Sequence, residues 1–275
     1  MIPQYRGIII NMTNTKNGFI YIAKNKSADT MAESSARSLR RFHKTEPITL
    51  FTDQNNTSSV FSEVIRIPAV CNNSPYLRSK PAYPDQGIIA KALNLGRGET
   101  DNTIFLDIDT HICGSLQPVF DVLNDTPGYD IAVCIDEAYC YTGQAPGALI
   151  PKCVPRFNTG LVAYRNNEKT KRMFEDFVSI FCEKENGATG NDENSFSAAV
   201  YRSDVRVLTL PPEYNCRFIF PFILREAAVV LHGRPNNTTY EHIGEMINKN
   251  SGTYRVMYLD KVLSTYRAGI GFTKY

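Results

Sequence analysis

The chain has 275 residues, enough for one large α/β domain or two small ones. Hydrophobic residues make up 43% and charged residues 21%, ordinary globular values that exclude a natively disordered chain. The net charge of +2 carries no electrostatic footprint for nucleic acid or an anionic membrane, and the densest basic stretch (Arg37, Arg40, Arg41, His43, Lys44) has the spacing of a solvated helix face.

No apolar run approaches the roughly twenty residues that span a bilayer. Met1 to Met12 holds one short apolar patch, Ile8 to Ile10, and no small-residue cleavage site, so a cytoplasmic protein is expected. The Asn-x-Ser/Thr triplets, such as Asn11-Met12-Thr13 and Asn237-Thr238-Thr239, then read as chance. Seven scattered cysteines with no C-x-x-C pair suit reduced thiols better than a disulfide framework or a zinc site.

Strand-length apolar stretches alternate with helical patterns, which predicts βαβ units and a mostly parallel sheet. Gly18 to Ala23 is the first expected strand, followed by a helix over Ser27 to Phe42 with Ser27 as its N-cap. Strands are expected at Ile48 to Thr52 and Val64 to Ile67, and a helix at Asp85 to Leu95, ending at Gly96. Thr103 to Leu106 is a short apolar strand that stops at Asp107, and Tyr129 to Ile135 is another. The turn-rich stretch Asp136 to Arg156 is too long for a mere connection in a compact domain, and a loop of that length is usually functional. A strand (Phe157 to Tyr164), two helices (Glu168 to Lys184, Asp192 to Arg202) and two strands (Val205 to Leu210, Ala227 to His232) follow; the tail from Thr239 reads as helical in part.

The most informative segment is Thr103-Ile104-Phe105-Leu106-Asp107-Ile108-Asp109-Thr110. Ligands of an open parallel sheet bind beyond the carboxyl ends of its strands, and an apolar strand that then yields two carboxylates at i and i+2 delivers both to that crevice, on one side of an extended chain. Two oxygen ligands there suit Mg²⁺ or Mn²⁺, which would leave positions for water and a substrate diphosphate. The alternative is a pair of loop carboxylates capping the next segment.

Taken with its neighbours, this segment resembles the GT-A family of nucleotide-diphospho-sugar glycosyltransferases. The resemblance spans Gly18 to His232, with motifs in family order: the second strand ending Thr52-Asp53, the basic Arg78-Ser79-Lys80-Pro81, FLDIDTHI, Phe157-Asn158-Thr159-Gly160-Leu161, Asn191-Asp192-Glu193, Leu210-Pro211-Pro212-Glu213-Tyr214-Asn215, and Leu231-His232-Gly233. It implies a Rossmann-like, mostly parallel sheet flanked by helices, with a small antiparallel part over the site. A nucleotide-binding half would lie at about 18–135, an acceptor-binding half at 136–238 and a helical tail at 239–275.

By that resemblance Asp107, Asp109 (the more direct of the two) and His232 would hold Mn²⁺ or Mg²⁺. Ala23 and Asp53 would contact base and ribose, with Ile108 among the nucleotide-contacting residues, and Arg78 and Lys80 would steady phosphates. Asn158 and Gly160 would face the sugar or acceptor, Asp192 and Glu193 would be the general base or hold sugar hydroxyls, and the loop from Asp136 to Arg156 would shape the acceptor pocket, with Tyr139 and Tyr141 able to stack on sugar faces. Bland readings stand beside these: Asp53 opening a turn, Gly160 a strand bulge, Asp192 a helix N-cap, His232 bonding backbone, Arg78 and Lys80 ordinary surface bases. The donor would be a UDP- or GDP-sugar and the acceptor a hydroxyl. Gly233-Arg234-Pro235 lacks the lysine-proline-tryptophan ending of one retaining branch, and the chain has no tryptophan. A haloacid-dehalogenase-like phosphatase with Asp107 as nucleophile, or a sugar-nucleotide-binding module without turnover, are the alternatives.

Overall fold

The strand expected over Gly18 to Ala23 forms, with both of its faces buried. The computed structural model describes residues 15–68, 86–125, 127–136, 150–151, 153–184, 192–258, 261–267 and 271–274. Along β1 (Asn17–Ala23), Phe19, Tyr21 and Ala23 enter one apolar cluster while Ile20 and Ile22 enter another on the opposite face. A strand buried on both sides belongs inside a sheet covered by helices on both faces.

That sheet has seven strands. β2 (Ile48–Thr52), β3 (Glu63–Arg66), β4 (Asn102–Leu106), β6 (Ile131–Ile135), β7 (Phe157–Arg165) and β8 (Val207–Leu210) join β1 in the order β3-β2-β1-β4-β7-β6-β8. The strands run parallel except β7, which is antiparallel to both β4 and β6. One face packs on α1 (Lys26–Leu39) and α3 (Gln117–Asn124); the other packs on α2 (Gln86–Asn94), α4 (Glu168–Lys184) and α5 (Asp192–Arg202). A mostly parallel sheet between helices matches the expected class.

Two smaller antiparallel sheets stand beside it among the described residues. β5 (Thr110–Ile112) pairs with β10 (Val230–His232). β9 (Phe222–Leu224), β11 (Tyr254–Tyr258), β12 (Lys261–Arg267) and β13 (Gly271–Lys274) form the second, beside α6 (Tyr240–Asn248) and a third apolar cluster around Phe218, Leu231 and Ile243. Among the described residues, the tail expected to be helical in part is helical only over Tyr240–Asn248. Its later segments are strands that find their partners in each other and in β9. Pairing across a distance leaves little local signal, which is why β5, β9 and the tail strands were not foreseen.

Helix α1 is capped by Asn25, not by Ser27: the Asn25 side chain accepts from the Ala28 N–H at 3.0 Å. Asn25 sits at φ 76° and ψ 163°, a conformation that side-chain-bearing residues rarely adopt, and its own N–H donates to Asp53. The serines of α1 tie the helix to β5. Ser35 Oγ lies 2.8 Å from Thr110 Oγ1, and Ser38 Oγ accepts from the Ile112 N–H at 2.9 Å.

Candidate metal and donor site

Because β7 runs against β4, its first residues lie beside the carboxyl end of β4. Leu106 pairs with Leu161, and the Asp107 N–H donates to the Gly160 carbonyl at 2.9 Å. The chain does not stay extended beyond Leu106 as expected; Ile108 and Asp109 form a turn, held where Thr110 Oγ1 donates to the Asp107 carbonyl at 2.7 Å. β5 then pairs with β10 so that His232 stands across from Thr110, and the Gly233 N–H donates to the Asp109 carbonyl. Sheet pairing, not sequence proximity, thus brings His232 to the two aspartates.

His232 Nε2 is 3.6 Å from Asp107 and 3.5 Å from Asp109, and one ligand atom from each of the three lies within 4.8 Å of the others. Two carboxylates and an imidazole converging in this way form a donor set that fits a hard-to-borderline divalent ion such as Mn²⁺ or Mg²⁺. Their electrostatics differ. Burial raises the pKa of Asp107 despite the nearby Lys91 and His232. Burial also works against Asp109, but the hydrogen bond and charge of His232 outweigh it and hold that carboxyl down at about 2.

Lys91, on the otherwise apolar segment Ile88-Ile89-Ala90-Lys91-Ala92-Leu93, was missed by sequence reasoning. Its buried ammonium lies 3.0 Å from the Asp107 carboxylate and 3.3 Å from Asp192, and donates to Thr159 Oγ1 at 2.9 Å. Thr159 Oγ1 in turn donates to Asp192 at 2.8 Å. Burial opposes charge on Lys91, but Asp107 and Asp192 more than restore it and raise its pKa. A single lysine on an apolar helix face was the available signal, though only the fold shows what it meets.

Asp192 and Glu193, expected as general base or hydroxyl contacts, start α5 and are buried in this network. Glu193 accepts from Asn158 Nδ2 at 2.5 Å and pairs with Arg156 at 3.2 Å; Arg156 and Arg217 both bind the fully buried Asp136. Burial, then repulsion by Asp136 and Asp192, pushes Glu193 up to about 7 against the pull of Arg156 and Arg217. A carboxyl whose folded pKa exceeds its unfolded value binds its proton more tightly when folded. Its stabilisation is complete below the ordinary 4.5 and is lost as pH rises to about 7. Wild-type stability in urea should therefore decline over that window. Glu193→Gln should flatten the decline and gain on the wild type at pH 8; parallel curves for the two proteins would contradict the assignment.

Asn158, expected to face sugar or acceptor, is buried with its amide committed to internal partners. What lies against Gly160 is the His232 ring, which a Cβ would overlap. The strand also bulges here, its register with β6 shifting between Val133 and Cys134. Ala23 and Asp53 lie at the carboxyl ends of β1 and β2. Ala23 is packed in the core, and Asp53 is ion-paired with Lys24 at 3.1 Å. Ile108, between the two aspartates, is half-buried against the core. Arg78, Lys80, Tyr139 and Tyr141 lie outside the described residues. Cys113 and Cys153 are free thiols.

The parallel sheet with one inserted antiparallel strand and a small second sheet at its mouth is the GT-A fold, as comparison with solved structures bears out. Mouse xyloside xylosyltransferase 1, in its apo form, superposes with a TM-score of 0.53 at 13% identity, over 82% of this chain and 99% of that one. The glycosyltransferase GlyE of Streptococcus pneumoniae gives 0.51 at 15% identity, over 82% of this chain and 57% of the other. Galactosyltransferase LgtC, solved with donor and acceptor sugar analogues, gives 0.50 at 12%, over 82% and 90%. No protein-family model matches the chain, and no curated protein is significantly similar to it. The fold likeness gives the phosphatase alternative no support. Among the described residues no helix is long and apolar enough to cross a membrane.

Proposed function

We propose that the protein is a metal-dependent glycosyltransferase that takes its sugar from a nucleotide-diphosphate donor and passes it to an acceptor hydroxyl. The observation that carries this reading is the convergence of Asp107, Asp109 and His232 at the carboxyl edge of a GT-A sheet. When bound there, Mn²⁺ or Mg²⁺ would neutralise a diphosphate leaving group. Arg234, exposed two residues beyond His232 and close enough to lower the pKa of Asp109, would add a positive charge on the donor side. Asp192 and Lys91 would hold sugar hydroxyls, and Glu193, poised near neutrality, would be the group best able to hold or release a proton. Ala23 and Asp53, at the neighbouring strand ends, would meet the base and ribose, with Arg78 and Lys80 on the phosphates.

A thermal-shift panel of UDP-, GDP-, CDP- and dTDP-sugars, each with and without Mn²⁺, tests the proposal. The right donor should raise the melting temperature by mass action, and only with the metal present. A panel in which no nucleotide sugar shifts the melt in a Mn²⁺-dependent way would overturn it.

A further inference from the structure

The hydrogen bonds behind His232 have a direction that can be read from one backbone group. The Gly160 N–H can only donate, and it lies 3.0 Å from the side chain of Asn158, so that end of the Asn158 amide is its oxygen. The same oxygen has a second neighbour, the Asn215 amide at 2.7 Å, which must therefore present its nitrogen. Asn215 then turns its oxygen toward His232 Nδ1 at 2.8 Å. A carbonyl oxygen only accepts, so Nδ1 carries the hydrogen. The other ring nitrogen, Nε2, is the one turned toward Asp107 and Asp109. Asn158, Asn215 and His232 are all buried, leaving little room for water to take over these contacts. The missing side chain at Gly160 is what admits the ring so close to the strand.

We infer that Asn215 is a positioning residue of the metal site: it holds the His232 imidazole as the Nδ1–H form, so that the Nε2 lone pair is offered to a divalent cation shared with Asp107 and Asp109. This deepens the metal reading of the site and rests on it. A histidine ligand is ordinarily oriented by an acceptor on its second nitrogen, and loss of such a partner costs about 10- to 100-fold in metal affinity.

The test uses the whole purified chain and Mn²⁺ alone, with binding read by calorimetry or by the electron paramagnetic resonance of the free ion. Asn215→Leu, close in volume but without an acceptor, should weaken Mn²⁺ binding about tenfold or more while the melting temperature stays near wild type. Asn215→Asp gives up the donation to Asn158 but keeps an acceptor for Nδ1–H, and should bind close to wild type. With ¹¹³Cd²⁺ as a diamagnetic probe, ¹⁵N spectra of wild type should show His232 coupled to the ion through Nε2. If Asn215→Leu does not fold, Asn215→Ala serves for the same comparison. A folded variant that binds Mn²⁺ as tightly as wild type, or cadmium found on Nδ1, overturns the role of Asn215 and leaves the metal site standing. Wild-type protein that binds neither ion overturns both.

Discussion

Asp109→Asn removes the Mn²⁺-dependent part of donor stabilisation and lowers transfer by roughly a thousandfold, the equivalent of about 4 kcal/mol of lost charge stabilisation. The substitution preserves shape, so what it deletes is a negative charge. In the folded protein that charge persists through the whole neutral and mildly acidic range, because His232 holds the Asp109 carboxyl at about 2. Asp107 cannot stand in, since burial works against its ionisation and Lys91 already occupies one side of it. The check is the melting temperature of the variant with the responsive donor, with and without Mn²⁺, alongside the transfer rate. An undiminished metal-dependent shift would remove Asp109 from the metal site and with it the main support for the proposed chemistry.

Lys91→Met should be the most destabilising single change in the site. The ammonium lies within 3.3 Å of the buried Asp192 carboxylate, the half-buried Asp107 carboxylate and a threonine hydroxyl, and methionine replaces its bulk without its charge. Removing one member of a buried ion pair leaves the other uncompensated and costs about 3–5 kcal/mol. In a chain of this size that lowers the melting temperature by roughly 10 °C. Mn²⁺ should restore part of the loss, because a divalent ion held by Asp107 would supply a positive charge in place of the ammonium. Thermal unfolding with and without Mn²⁺ reads both effects. A variant as stable as wild type would mean that Lys91 does not balance the charge of its carboxylate neighbours.

Read along the chain, the strands of the main sheet were largely visible before folding. Phe19 to Ala23 and Thr103 to Leu106 are runs of residues that must be buried on both faces, a property each stretch carries locally. The metal candidates were likewise legible: an apolar strand ending in two aspartates and a later strand ending in histidine meet here, with Asn158 and Gly160 beside them. The cap of α1 was misplaced by two residues because Ser27 and Asn25 both suit the position, and only the backbone at Asn25 decides between them.

What the sequence determined by itself was periodicity and residue chemistry: which stretches are two-sided apolar strands, where carboxylates follow them, and that the whole is an α/β chain with an ordinary core. What only the tertiary structure decided was partnership. Lys91 is 16 residues from Asp107 and 68 from Thr159, and Asn215 is 57 from Asn158 and 17 from His232, yet each pair is in hydrogen-bond contact. Periodicity reports the environment of a residue relative to its own helix or strand. It does not say which distant residue will occupy the other side of a hydrogen bond, because that depends on strand order and on the one strand of the main sheet, β7, that runs against its neighbours.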